Sequence, residues 1–165
     1  MIHAEHLRKG DVILVRQNSI YNIIVRLFTL SDWGHVVLYI GDGFYLESNA
    51  NGVTVRSLER LQASEVRAYR HRTMTPRIAD GVVEKAMKYE EQRYDWKAIL
   101  QLGLKVLFGK RYNPKQIGEK NRWFCSELIS VPMKEHGLEV LKGADPHGII
   151  PADFARSHYF VRIEC

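Results

Sequence analysis

The sequence of 165 residues predicts an α+β fold, on three observations. Apolar runs rich in β-branched residues, punctuated by Gly-Asp and Asn-Gly pairs, fill the chain as far as Tyr69. From Pro76 onward the apolar period becomes helical. Strands and helices are thus segregated along the chain rather than alternated, which argues against a βαβ winding. The length suits a single domain over residues 1–165, with a hydrophobic core of its own.

Taken in order, Leu7-Arg8-Lys9-Gly10-Asp11 is a turn and Val12-Ile13-Leu14-Val15 a short buried strand. Asn18-Ser19 can cap a helix whose apolar positions are Ile20, Ile23, Ile24, Leu27 and Phe28, ended by Ser31-Asp32-Trp33-Gly34. The strand His35–Ile40 turns at Gly41-Asp42-Gly43 into Phe44–Ser48, since Asp-Gly between two apolar runs is a strong hairpin signal. Asn51-Gly52 turns the chain again into Val53–Arg56, and a short helical turn at Ser57–Leu61 precedes a strand at Val66–Tyr69. Pro76 opens a helix through Tyr89, and Tyr94-Asp95-Trp96 opens a second ending near Phe108. Lys110–Asn121 is a polar loop. A helix starting at Cys125 runs to about His136-Gly137, and a short helix near Asp153 precedes a last strand at Tyr159–Ile163.

Composition excludes several classes. A net charge of +5 and pI near 9.2 are mildly basic, but no basic run interleaves with aromatics as a nucleic-acid module requires, so no nucleic-acid partner is expected. Two cysteines, Cys125 and the terminal Cys165, do not make a disulfide scaffold. The apolar stretches Ile20–Leu30 and Trp96–Phe108 are too short and too interrupted by charge for a transmembrane segment. The first residues lack a basic-then-apolar leader. The expectation is a cytoplasmic protein, with leaderless export left open. The seven histidines include no helical His-x-x-x-His pair and there is no Cys-x-x-Cys, so neither a metal nor another cofactor is expected.

Three residues carry candidate chemistry. Cys125 sits at a helix start, where the positive end of the helix dipole favours thiolate over thiol. A cysteine among aromatics is also a common core residue, so what decides is whether a base and an orienting group accompany it. His35 opens a strand directly after a glycine and can project from the sheet end. In a hairpin closed at Gly41-Asp42-Gly43, positions whose numbers sum to about 84 face one another, which sets Glu47 diagonally across from His35 on one face. A carboxylate there can accept from the imidazole N–H, fix its tautomer and stabilise the imidazolium. Taken alone, Glu47 reads as a charged residue on the solvent face.

Gly34-His35-Val36-Val37-Leu38-Tyr39-Ile40-Gly41-Asp42-Gly43-Phe44-Tyr45-Leu46-Glu47 resembles the histidine hairpin of NlpC-type cysteine amidases and peptidases, a papain-like family. Phe124-Cys125-Ser126-Glu127-Leu128-Ile129 resembles that family's nucleophile motif, and Leu7–Leu14 its opening strand. The order is reversed, His35 before Cys125, which resembles the circularly permuted, YiiX-like branch, with lecithin retinol acyltransferase-like enzymes as more distant relatives. Tyr94-Asp95-Trp96 is similar to the Tyr-containing motif found before the family's Cys, although the long stretch Lys97–Arg122 departs from the compact form.

The resemblance implies a permuted papain-like domain in which the Cys helix packs against an antiparallel sheet. It implies Cys125 as nucleophile, His35 as general base and acid, and Glu47 as the residue that orients His35. Backbone N–H groups at Cys125, with Tyr94 and Phe124 in auxiliary places, would stabilise the oxyanion. The implied reaction is hydrolysis of an amide, in a peptidoglycan-type peptide, a γ-glutamyl or an isopeptide bond, through a thioester acyl-enzyme. Acyl transfer on lipid esters or amides, and an idle binding module of the same fold, are the alternatives. The implied partner is a small peptide, cell-wall or acyl substrate. The residues do not specify an oligomeric state.

Overall fold

The computed structural model describes residues 2–16, 31–49, 52–89 and 125–164. The helices expected after Asn18 and from Tyr94, the polar loop Lys110–Asn121, Cys165, and the candidate residues Tyr94 and Phe124 lie outside the described residues.

Among the described residues, six strands are β1 (Val12–Arg16), β2 (His35–Gly41), β3 (Phe44–Asn49), β4 (Gly52–Ser57), β5 (Glu65–His71) and β6 (Phe160–Ile163). They form one sheet in the order β4-β3-β2-β1-β5-β6, with every neighbouring pair antiparallel. The uninterrupted apolar run of β1 is explained by its place between β2 and β5, where both faces are covered. The helices are α1 (Pro76–Met87), α2 (Glu127–Glu135) and α3 (Pro151–Arg156), with 3₁₀ turns at Ala4–His6, Leu58–Leu61 and Pro146–Gly148. The architecture is α+β, as the segregated pattern predicts.

The two faces of the sheet hold separate cores. On one face Val12, Leu14, Val36, Leu38 and Leu46 pack with Val82 and Ala86 of α1, Leu128, Ile129 and Met133 of α2, and Phe154 of α3. On the other, Ile13, Val15, Val37, Tyr39 and Tyr45 are covered by Ile2, Leu7, Leu58 and Leu61. At roughly 25 cal/mol per Å² of apolar surface removed from water, these layers hold α2, and hence the segment containing Cys125, against the sheet. α1 starts where Pro76 suggests, with Thr75 accepting a hydrogen bond from the Ile78 N–H.

The hairpin turn follows the sequence closely. Gly41, Asp42 and Gly43 all have positive φ, 103°, 53° and 79°, a run that glycine and aspartate tolerate. Leu38 pairs with Leu46 and Tyr39 with Tyr45, the register in which residue numbers add to 84. One boundary differs from expectation. α2 starts at Glu127, two residues after Cys125. Its first backbone acceptor is the Ser126 carbonyl, which receives the N–H groups of Ile129 at 3.1 Å and Ser130 at 2.8 Å. Cys125 and Ser126 therefore form the turn that leads into the helix.

Candidate active site

His35 is the first residue of β2, opposite Val15 of β1. The approach to it is fixed by Trp33, which is buried, donates its backbone N–H to Ser31 Oγ at 3.0 Å and carries the Arg67 guanidinium 5.0 Å above its ring. Glu47 sits in β3 opposite Thr54 of β4. The diagonal offset expected from the register brings Glu47 Oε2 to 3.0 Å from His35 Nε2. Facing a carboxylate, Nε2 is the protonated ring nitrogen. Cys125 lies close enough to the His35 side chain to favour its protonated form. The structure thus brings together His35, Glu47 and Cys125, and all three are enclosed. Cys125 is 5% exposed, His35 8%, and the Glu47 side chain 14%.

Burial alone would push the His35 imidazole toward the neutral form. Hydrogen bonds to Cys125 and Glu47, and the coulombic pull of both, reverse this and raise its pKa to about 10. Burial likewise disfavours the Glu47 carboxylate. The hydrogen bond and charge of His35, with Asn49 and Arg56 behind them, outweigh that cost and hold it below the ordinary carboxylate range. Tyr45, in the same strand, is pushed up to about 12 by its burial and by the Glu47 charge, so it stays neutral.

Several residues at the site carried no role in the sequence reading. Asn49 Nδ2 donates to Glu47 Oε1 at 2.7 Å, and Arg56 Nε lies 3.8 Å from the same oxygen. Residues two apart in a strand share a face, so the spacing places Asn49 on the face of Glu47 without specifying the contact. Thr54, directly across from Glu47, has a buried hydroxyl without a hydrogen-bond partner among the described residues. Glu127 opens α2 and meets His147 Nδ1 at 3.2 Å, while Ser130 Oγ donates to the Pro146 carbonyl at 2.6 Å. These two contacts tie the Pro146–Gly148 turn to the cysteine helix. No local pattern in the sequence links segments that far apart.

No protein-family model matches the chain. The chain is 23% identical over 176 aligned residues to the "Probable lipoprotein peptidase YaeF" of Escherichia coli strain K12, an alignment covering 92% of this chain. It spans 64% of the length of that curated relative. Among solved structures, the metalloprotein YiiX from Escherichia coli O157:H7 is similar with a TM-score of 0.68 and 13% identity, covering 96% of this chain and 97% of that one. That likeness establishes the fold. The permuted motif order, the alignment and the shared fold agree in one likeness, to the YiiX-like, circularly permuted NlpC-type proteins.

Proposed function

We propose that the chain is a cysteine hydrolase that cleaves an amide bond, of a peptidoglycan-type peptide, γ-glutamyl or isopeptide kind, through a thioester acyl-enzyme. The observation that carries this reading is the three-residue contact. His35 Nε2 stands 3.0 Å from the Glu47 carboxylate, and Cys125 is near enough to act on the same imidazole. The peptidase named in the aligned relative supports the same class.

The steps follow from these positions. His35 holds the proton taken from the Cys125 sulfur, and a ring that keeps its proton to about pH 10 favours thiolate beside it at neutral pH. The sulfur attacks the substrate carbonyl carbon. The oxyanion that forms is met by the first N–H groups of α2, which have no intrahelical acceptor. Collapse expels the amine as His35 Nδ1 delivers it a proton, leaving a thioester on Cys125. Water then enters, gives its proton to His35 and attacks the thioester, and the acid product leaves as the thiol is restored. Throughout, Glu47 accepts from Nε2–H and offsets the imidazolium charge. YiiX itself is described as a metalloprotein. Among the described residues here, no group of three His, Cys, Asp or Glu side chains is arranged to hold a metal ion.

The relative's description as a lipoprotein favours a cell-envelope substrate over the cytoplasmic setting expected from the sequence. Among the described residues no helix is long and apolar enough to cross a membrane. The test is to incubate the protein and its Cys125→Ala variant with muropeptides and, separately, with acyl lipids, and to read products by mass spectrometry. Cleavage of muropeptides by the native protein alone is the expected result. Acyl transfer between lipids would replace amide hydrolysis with the acyltransferase reading, and products persisting in Cys125→Ala would remove the cysteine from the chemistry.

A further inference from the structure

We infer that Asn49 is a positioning residue: it clamps the Glu47 carboxylate so that one oxygen, and only one, is presented to His35. The inference rests on the proposed Cys125, His35 and Glu47 assembly and extends it by a fourth member.

The two oxygens of Glu47 are divided between partners. Oε2 stands 3.0 Å from His35 Nε2, and Oε1 accepts from Asn49 Nδ2 at 2.7 Å. An amide nitrogen donating to a carboxylate makes a short, charge-assisted bond. With one oxygen held at each side, the terminal torsion of Glu47, which is otherwise broad, is fixed. The backbone makes this possible. Glu47 and Asn49 are two apart in β3 and share a face. Asn49 is the last residue of the strand and pairs across the sheet with Gly52.

Other groups act on the carboxylate less directly. Arg56 of the edge strand β4 reaches Oε1 only at 3.8 Å, with its side chain one-third exposed. It supplies charge but not a fixed orientation, and without Asn49 it is the group toward which Glu47 would turn. Tyr45 lies on the same strand and His35 on the next, with Cys125 beyond it. Of these groups, Asn49 is the uncharged donor that meets the oxygen His35 does not use. A short polar residue at the end of an edge hairpin is otherwise an ordinary turn residue, and the 2.7 Å contact distinguishes the two cases.

The test is an NMR titration of the His35 ring, assigned with His35→Gln, in native protein and in Asn49→Ala, Asn49→Gln and Glu47→Gln variants. Iodoacetamide labelling of Cys125 at pH 6 is measured alongside, all in a Cys165→Ser background. In Asn49→Ala the His35 midpoint is expected to fall by about one pH unit, a tenfold change in proton affinity, and labelling is expected to slow to a similar degree. Asn49→Gln, which keeps the donor one methylene further out, restores part of both. In a Glu47→Gln background Asn49→Ala adds nothing. A melting temperature that drops in Asn49→Ala while the His35 midpoint and labelling rate stay at native values assigns Asn49 a structural role and overturns the inference. The proposed function fails separately, if Glu47→Gln itself leaves both readouts unchanged. Should Asn49→Ala not fold, Asn49→Ser, which retains a small polar side chain too short to reach Oε1, reads the same two quantities.

Discussion

At the scale of single residues, the account turns on what surrounds one imidazole. His35 is a buried base that ought to resist protonation, yet it is flanked by two groups that hold its proton in place. Replacing Glu47 by Gln keeps the shape and removes the charge. The expected outcome is a His35 titration midpoint well below about 10, with turnover of a cleaved substrate reduced by about 10²–10⁴-fold, the range in which a positioned acid–base group contributes. Steady-state kinetics checks it, with the loss expected in kcat rather than KM. The diagonal placing of His35 and Glu47 was legible in the sequence, because the Gly41-Asp42-Gly43 turn fixes the register and the register fixes which side chains meet. The roles of Asn49 and Arg56 were not. Each depends on a side-chain rotamer choosing Glu47 over solvent, and residue type alone does not encode that choice.

At the scale of elements, the cysteine segment is held by packing between α1 and α2. Gly81 in α1 faces the ring of His136 at the end of α2, and a Cβ built on Gly81 would lie 2.5 Å from His136 Nε2. Gly81→Ala is therefore expected to lower stability by about 1–3 kcal/mol through overpacking, although alanine is the better helix former. A denaturant melt checks it, and a stabilised variant would show that the helices can part there at no cost. A second joint lies at the turn before β1. Asp11 is fully buried, accepts from the Arg8 N–H at 2.7 Å and takes Arg70 in a two-pronged contact at 2.7 and 2.6 Å. Asp11→Ala removes the partner of a partly buried guanidinium and is expected to cost about 3 kcal/mol, read as a lowered urea midpoint. The sequence marked both places only as a turn and a glycine within a helix. The strands and their order along the chain were readable from β-branched runs and Gly-Asp turns, whereas β6 joining β5 at the sheet edge is a contact between residues far apart in sequence, which local patterning does not record.

At the scale of the whole molecule, the same charges link the site to stability. His35 has a folded pKa raised from 6.5 to about 10. Its contribution is fully present below pH 6.5 and is lost as pH rises through about 10. Glu47 has a folded pKa lowered from 4.5. Its contribution is present above pH 4.5 and is lost as pH falls through the folded value. The stability difference between native protein and His35→Ala is accordingly expected to be largest between about pH 4.5 and 6.5 and to shrink on the alkaline side, as followed by thermal melts across pH. The order of the chain, with the histidine hairpin in the first third and the cysteine helix in the last, leaves the spatial assembly intact. A permuted connection changes which loop joins two elements, while the packing that brings them together is unchanged. The central claim is that this assembly activates Cys125, and its most direct test is the rate of iodoacetamide labelling of Cys125 at pH 6 in Cys165→Ser protein, with and without His35→Ala. At that pH an ordinary thiol is less than about 1% ionised, so the account expects the native protein to react at least about 100-fold faster than His35→Ala. Equal rates in the two proteins, both rising only as pH approaches about 8.5 as for a free cysteine, would contradict it.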